Sequence, residues 1–111
     1  MIQIPLIQYP NQELQIILEE QNCTIKFYQR SGYCYMDLLL DNTVIKRGQL
    51  AIPGAPILAT PTGGFKGNFY IIDTVNQADA QELPNYEEFS TRYVLLYVTE
   101  EELNELESEI N

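Results

Sequence analysis

The fold is decided by residues 22–47, NCTIKFYQRSGYCYMDLLLDNTVIKR. Three runs rich in β-branched, aromatic and leucine residues are separated by Ser31-Gly32 and Asp41-Asn42, and both pairs are typical of two-residue hairpin turns. The stretch therefore predicts three consecutive antiparallel strands.

Two-residue turns determine which residues face each other across each hairpin. In the first hairpin, Phe27 faces Met36 and Ile25 faces Leu38, so these apolar side chains share one face of the sheet. In the second hairpin, the same rule predicts that Leu38 faces Ile45. This face is therefore predicted to be the core.

The opposite face of the same strands is predicted to be charged and aromatic. Lys26 lies beside Asp37, and the second turn is expected to bring Lys46 to the other side of Asp37. One carboxylate then stands between two lysines. On this face Tyr28 lies opposite Tyr35.

Two explanations of this tyrosine pair remain open. In the first, the N-terminal arm (1–12) or the loop at 50–67 covers the face, as the second layer of a small barrel or sandwich. In the second, Tyr28 and Tyr35 form a contact surface for another subunit, because exposed aromatic patches mark interfaces.

The whole chain is predicted to be mainly β, a small antiparallel β-barrel or sandwich with a short C-terminal helix. Its 111 residues, with 45% hydrophobic and 20% charged side chains, suffice for one globular domain without a metal or disulfide. Compact apolar runs predict further strands at 68–73 and 92–98. We expect residues 1–98 to form a single β-domain with an extended N-terminal arm, and residues 99–111 to form the helix.

The helix is predicted from its start signal and its apolar stripe. Thr99 and Glu102 match a capping box, and Leu103, Leu106 and Ile110 follow at helical spacing. A helix this short is marginal alone in water. It is therefore expected to dock, either on its own domain or on a partner.

The net charge of −10 disfavours nucleic acid and membranes as direct partners, because both carry negative charge. Six of the sixteen acidic residues lie in the last twelve positions. The excess either serves solubility or steers this acidic end onto a basic partner surface.

Catalytic chemistry finds little support in the sequence. The chain has no histidine, which removes the commonest general base and most zinc sites. Cys23 and Cys34 both point to the core, on the order of 20 Å apart along the strand, so they are predicted to be free thiols rather than a disulfide. The glycines at 63–67 lack the pattern of a phosphate-binding loop. No enzyme activity, cofactor or metal is expected.

No stretch has the length and purity of a transmembrane helix, and the first residues lack the basic start of a signal peptide. The chain is therefore expected to be made and folded in the cytoplasm.

The order of motifs along the chain resembles the small baseplate plug proteins of contractile-tailed bacteriophages. The motifs span most of residues 4–98, while the acidic helix lies beyond them. They are Ile4-Pro5-Leu6 with Pro10-Asn11-Gln12, the aromatic hairpin from Phe27-Tyr28 to Tyr33-Cys34-Tyr35-Met36-Asp37-Leu38, the region of Gly48 and Pro53-Gly54, and Leu83-Pro84-Asn85-Tyr86 followed by Arg92-Tyr93-Val94-Leu95-Leu96-Tyr97. The resemblance implies a mainly-β virion component at the distal end of the tail, beside the hub and the tip of the tail tube.

The leading hypothesis is a non-catalytic assembly protein of the tail baseplate, located in the virion. Its expected partners are hub, tube or spike subunits and other copies of itself, with no nucleic acid and no membrane. The candidate contact residues are Ile4, Leu6, Tyr28, Tyr35, Leu103, Leu106 and Ile110.

The alternative hypothesis is a small acidic binding module or inhibitor that occupies a basic site on a host protein. That alternative expects acidic residues spread over one face, whereas six of sixteen lie at one terminus.

Overall fold

The structure, a computed structural model, describes residues 1–58, 64–75 and 83–110, and for residues 106–110 it describes the backbone alone. Within these residues the chain forms seven strands, one short 3-10 turn (Tyr86–Glu88) and one α-helix. The elements are β1 (Ile2–Ile4), β2 (Asn11–Leu18), β3 (Gln21–Arg30), β4 (Tyr33–Leu40), β5 (Thr43–Ala51), β6 (Asn68–Asp73), β7 (Tyr93–Val98) and α1 (Glu100–Ile110).

The strands form two antiparallel sheets. The meander β2-β3-β4-β5 makes the four-stranded sheet, and β1-β7-β6 makes the three-stranded sheet, with β7 in its centre. The predicted mainly-β class with a C-terminal helix is confirmed. Of the two predicted architectures, the sandwich fits and the closed barrel does not, because the sheets stay separate. The shortest dimension of 20 Å suits two packed layers.

The first hairpin has the predicted register. Phe27 pairs with Met36 and Tyr28 pairs with Tyr35 across β3 and β4. Ser31 and Gly32 have φ angles of 53° and 82°, the positive values that a two-residue hairpin turn with matching twist requires. Local turn chemistry therefore determines this part of the sheet.

The second hairpin departs from the predicted register. It begins as expected with Leu39 opposite Val44, but then shifts, so that Leu38 lies opposite Lys46. The predicted pairing of Leu38 with Ile45 and the flanking of Asp37 by Lys46 are therefore wrong.

A second shift follows between the pairings of Leu38 and Met36, at Gly48. Its φ of +61° places the backbone in a conformation that other residues rarely adopt, and its N–H donates to Asp37 Oδ1 at 2.7 Å. β5 bulges towards Asp37 at this point, and regular pairing resumes at Gln49 opposite Met36 and continues with Leu50 opposite Tyr35.

The N-terminal arm is part of the fold. Ile2–Ile4 pairs with β7 and forms one edge of the three-stranded sheet. The Gln12 side chain then pairs with both backbone groups of Ile7, at 2.8 Å from the N–H and 2.7 Å from the carbonyl. Ser90 Oγ also donates to the carbonyl of Leu6 at 2.7 Å.

The core lies between the inner faces of the two sheets. Phe27 of β3 packs edge to face against Phe89, with ring centroids 5.4 Å apart. Cys23 and Cys34 are free and buried, as predicted, and burial raises the pKa of each thiol to about 11. Neither thiol is therefore ionised at neutral pH.

One buried ion pair holds the end of the three-stranded sheet. Arg92 donates from Nε and Nη2 to the two carboxylate oxygens of Asp73, both at 2.9 Å, and the Asp73 side chain is only 1% exposed. Thr74 adds hydrogen bonds to the carbonyl of Arg92 from its N–H and hydroxyl. These contacts join the end of β6 to Arg92, the residue before β7.

Candidate functional site: the outer face of the four-stranded sheet

The four-stranded sheet has a buried face and an exposed face. The inner side chains pack in the core, whereas on the outer face Val44 and Leu50 are 40% and 39% exposed and the Lys26 side chain is 45% exposed. We call this second surface the outer face. Neither segment that was expected to cover it does so among the described residues, because β1 pairs with β7 and Ile57 bonds to β6.

The outer face is organised as rows that run across the strands. The strand pairings align three rows: an aromatic row centred on two tyrosines, a charged row, and a row of two polar and two aliphatic residues. The rows are Asn11-Tyr28-Tyr35-Leu50, then Glu13-Lys26-Asp37, then Gln15-Thr24-Leu39-Val44. Regular pairing sorts the side chains in this way because alternate residues of a strand point to the same side.

The aromatic row is held rigidly. The rings of Tyr28 and Tyr35 stack with centroids 5.8 Å apart and planes 28° apart, and the guanidinium of Arg30 lies 5.6 Å from the Tyr28 centroid. The Tyr28 hydroxyl donates to Asp37 Oδ1 at 2.9 Å. Burial, with this hydrogen bond to a carboxylate, raises the pKa of Tyr28. The tyrosine therefore stays a neutral donor.

An open depression of about 640 Å³ lies beside these rows. Glu13, Lys26, Tyr28, Arg30 and Asp37 line part of it. Its groups combine aromatic area with charged hydrogen-bonding side chains, the composition found at protein interfaces. This arrangement can bind a polar protein surface.

The helix start is a second place where separate parts of the chain meet. Both predicted capping-box bonds are present: Thr99 N–H donates to Glu102 Oε1 at 2.9 Å, and Glu102 N–H donates to Thr99 Oγ1 at 3.2 Å. The other Glu102 oxygen accepts from the Met1 ammonium at 2.6 Å. These bonds to the ammonium and to the Thr99 N–H lower the pKa of Glu102 to about 2. Glu19 Oε1 accepts from the Glu100 N–H at 2.9 Å, which ties the helix to the β2–β3 turn.

The structure separates the predicted contact residues. Tyr28 and Tyr35 lie together, half-buried, on the outer face, and Leu103 is half-buried on the helix. Ile4 and Leu6 lie in the core at 0% and 4% exposure, because the arm joins the three-stranded sheet. Their burial opposes the predicted role of these two side chains in partner contact.

Two other predicted contact residues, Leu106 and Ile110, lie outside the residues whose side chains are described. The predicted features at 59–63 and 76–82, including part of the glycine-rich stretch, also lie outside the described residues.

Sequence reasoning missed Arg30 and Leu50 as members of this face. Arg30 was identifiable, because it lies two residues after Tyr28 on the same strand and so on the same side. Leu50 was not, because its place beside Tyr35 depends on two register shifts in β5, one before Lys46 and one at Gly48.

Among the described residues, no three acidic or cysteine side chains are arranged to hold a metal ion. No helix in that part of the chain is long and apolar enough to cross a membrane.

Comparison with known protein families gives a match to most of the chain. A family model described as "Cyanophage baseplate Pam3 plug gp18" matches residues 1–101, from β1 to the first turn of α1. No curated protein gives a significant match to the chain. The matched region contains the whole outer face, whereas most of the acidic helix lies beyond it.

Proposed function

Because the chain belongs to the cyanophage baseplate plug family, we propose that it is a non-catalytic structural protein at the centre of a phage tail baseplate. In this proposal it is located in the virion, at the tip of the tail tube, and joins hub to tube. The observation that carries the proposal is the family match over both sheets.

The proposed mechanism is surface complementarity on the outer face. A tube, hub or spike subunit would cover the stacked tyrosines and the charged row beside them. The hydrogen bonds of Asp37 to Tyr28 and Gly48 hold this surface in one conformation before binding, which lowers the entropy cost of association. Aromatic and arginine side chains are also those most often found at the centres of protein interfaces.

The test is assembly of tail particles when the chain is supplied in trans to a phage genome that lacks its gene. We expect the wild-type chain to restore complete baseplates and to copurify with them. Tyr35→Arg should fold but fail to incorporate, because it places a new charge in the centre of the outer face.

Tyr70→Arg is the matched control. Tyr70 is also half-buried, but it lies on β6 in the other sheet, so this variant should incorporate normally. Normal incorporation of Tyr35→Arg would refute the proposed contact surface, and a wild-type chain absent from tail particles would refute the proposed function.

We also propose that residues 1–98 form an independent β-domain and that the helix at 99–111, with Leu103, Leu106 and Ile110, contributes to partner binding. Deleting residues 100–111 should leave the β-domain folded and weaken incorporation. A large fall in melting temperature would show instead that the helix packs on its own core.

A further inference from the structure

Most of the cations of the chain lie on the four-stranded sheet, with Lys46 opposite the inner-face residue Leu38, whereas six acidic residues lie on the helix. Four of the six cationic residues lie on β3 and β5 of the four-stranded sheet, two on each strand: Lys26, Arg30, Lys46 and Arg47. The helix α1 carries six glutamates and no cation. In a chain with a net charge of −10, the four-stranded sheet therefore provides most of the positive charge.

We propose that the acidic helix of one subunit docks on the outer face of a second copy of the chain. This inference deepens the proposed function, on which it rests, by naming a second copy as one occupant of that face. Opposite charges on the two surfaces supply the attraction and fix the orientation of the contact.

The cationic side of the contact is accessible. Arg30 and Arg47 are exposed at the described surface, and the Lys26 side chain is 45% exposed. Arg47 precedes Gly48, whose N–H binds the outer-face carboxylate of Asp37, so Arg47 borders the same face. Lys26 lies 3.8 Å from Glu13, a long and exposed pair that a stronger acidic partner can displace.

The acidic side of the contact is also available. Glu101 and Glu105 are exposed and lie one helical turn apart, so they share one side of α1. Leu103 lies on the opposite side of the helix and is half-buried. Acidic residues near a helix C-terminus oppose the helix dipole, and cations from a neighbour would relieve that repulsion.

The helix cannot make this contact within its own subunit at Arg30. The bond between Glu19 and the Glu100 N–H places the helix start at the β2–β3 turn. From Gln21 to Arg30 the strand extends roughly 30 Å at 3.3 Å per residue. The eleven residues of α1 extend only about 16 Å at 1.5 Å per residue. Contact with Arg30 therefore requires a second copy.

Such a contact is head-to-tail, because two different surfaces meet. Head-to-tail contacts close into rings or continue as filaments. A closed ring of copies would have a rotation axis that can coincide with the long axis of the tail.

The experiment measures self-association of the purified chain by sedimentation equilibrium. We expect the chain to self-associate at low ionic strength. The dissociation constant should rise on the order of tenfold when salt is raised from about 50 mM to about 500 mM, because salt screens exposed charges. Arg30→Glu should weaken association by a similar factor. Lys66→Glu, which reverses an exposed cation beside the β2–β3 turn rather than near Arg30, should not weaken association.

A charge swap identifies the two surfaces. Arg30→Glu and the double variant Glu101→Lys/Glu105→Lys should each self-associate more weakly than the wild-type chain. An equimolar mixture of the two should associate more tightly than either variant alone, because the basic helix then meets an acidified face. Thermal melts of both variants are the check that each one folds.

A chain that is monomeric at low salt, or a mixture that fails to recover, would overturn the inference. If that monomer still copurifies with tail particles, the proposed function survives. If the chain self-associates by this contact but is absent from tail particles, the inference stands and the proposed function is refuted.

Discussion

The two faces of the four-stranded sheet are built from the same strands but have different surroundings. Phe27 and Met36 on the inner face are fully buried, whereas Tyr28 and Tyr35, their immediate neighbours in the chain, remain half-exposed. A shift of one residue along a strand thus separates a side chain that holds the sheets together from one that is free to meet a partner. We therefore expect inner-face substitutions to change stability and outer-face substitutions to change association.

The largest effect is expected on the inner face. Phe27→Ala should lower the free energy of unfolding by about 3–5 kcal/mol, because it leaves a cavity against Phe89. Tyr35→Ala should lower the free energy of unfolding by only about 1 kcal/mol, since the variant loses one half-exposed stacking contact. Urea denaturation of both variants measures the difference. Equal losses would refute the division between the two faces.

Asp73→Asn tests whether a buried charge matters as much as a buried ring. The substitution removes the partner of Arg92 in a nearly fully buried pair, and we expect a loss of about 3 kcal/mol in the free energy of unfolding. The control is Asp41→Asn at an exposed hairpin turn, where the positive φ suits asparagine. A similar loss in both variants would mean that the ion pair between Asp73 and Arg92 does not contribute to the free energy of unfolding.

Gly67→Ala tests close packing at the edge of the core. A Cβ at Gly67 would overlap the Tyr97 hydroxyl and lie 2.6 Å from the carbonyl oxygen of Val98. We expect a loss of about 2–3 kcal/mol, since overpacking adds to the strain of a positive φ.

Gly54→Ala is the matched control for this variant. Its φ of +86° is similar to the +82° of Gly67, but nothing lies within 4 Å of the new Cβ. Thermal denaturation of the two variants isolates the effect of the steric overlap, and identical melting temperatures would contradict it.

Asp37→Ala is expected to lower the free energy of unfolding by about 1 kcal/mol, because it removes the hydrogen-bond acceptor for Tyr28 and Gly48 on a partly exposed surface. Incorporation into tail particles should nevertheless fall clearly, since the stacked tyrosines lose the hydrogen bond that holds Tyr28 in place. Glu13→Ala serves as the control, because its contact with Lys26 is long and exposed. Loss of stability without loss of incorporation would place Asp37 among the purely structural residues.

The smallest effect is expected at the helix start and depends on pH. The pKa of Glu102 is lowered in the fold from 4.5 to about 2, so its contribution is complete above pH 4.5 and disappears as the pH falls to about 2. Glu102→Gln keeps a capping acceptor but loses the charge, so it should flatten this part of the pH dependence of the melting temperature. Glu101→Gln should not change it. An unchanged profile in Glu102→Gln would refute the role of the ion pair with Met1.

Local patterns predicted much of the fold. The first hairpin, the strand Asn68–Asp73 and both capping-box bonds of Thr99 and Glu102 agree with the sequence predictions. Each depends on residues that are close in the chain. The bulge at Gly48 was missed because one glycine in a strand signals a bulge without indicating its position in the pairing.

The candidate site was predicted only in part. The stacking of Tyr28 on Tyr35 follows from the first turn and was predicted as a pair. The exposure of that pair was an open question, because it depends on where the N-terminal arm packs. That arm joins β7, more than eighty residues away in the chain, and no local pattern records this pairing.

The sequence by itself determined the strands, the first register and the division of side chains between two faces, because turn conformation and the alternation of side chains act over a few residues. The tertiary structure alone decided the pairing of the arm with β7, the burial of Asp73 against Arg92 and the position of the helix start beside Glu19. These contacts join residues that are far apart in the chain, and their formation depends on how two complete sheets pack together. Among the residues that the structure describes, that packing leaves the outer face uncovered. It also places the acidic helix too far from Arg30 to reach it within one subunit.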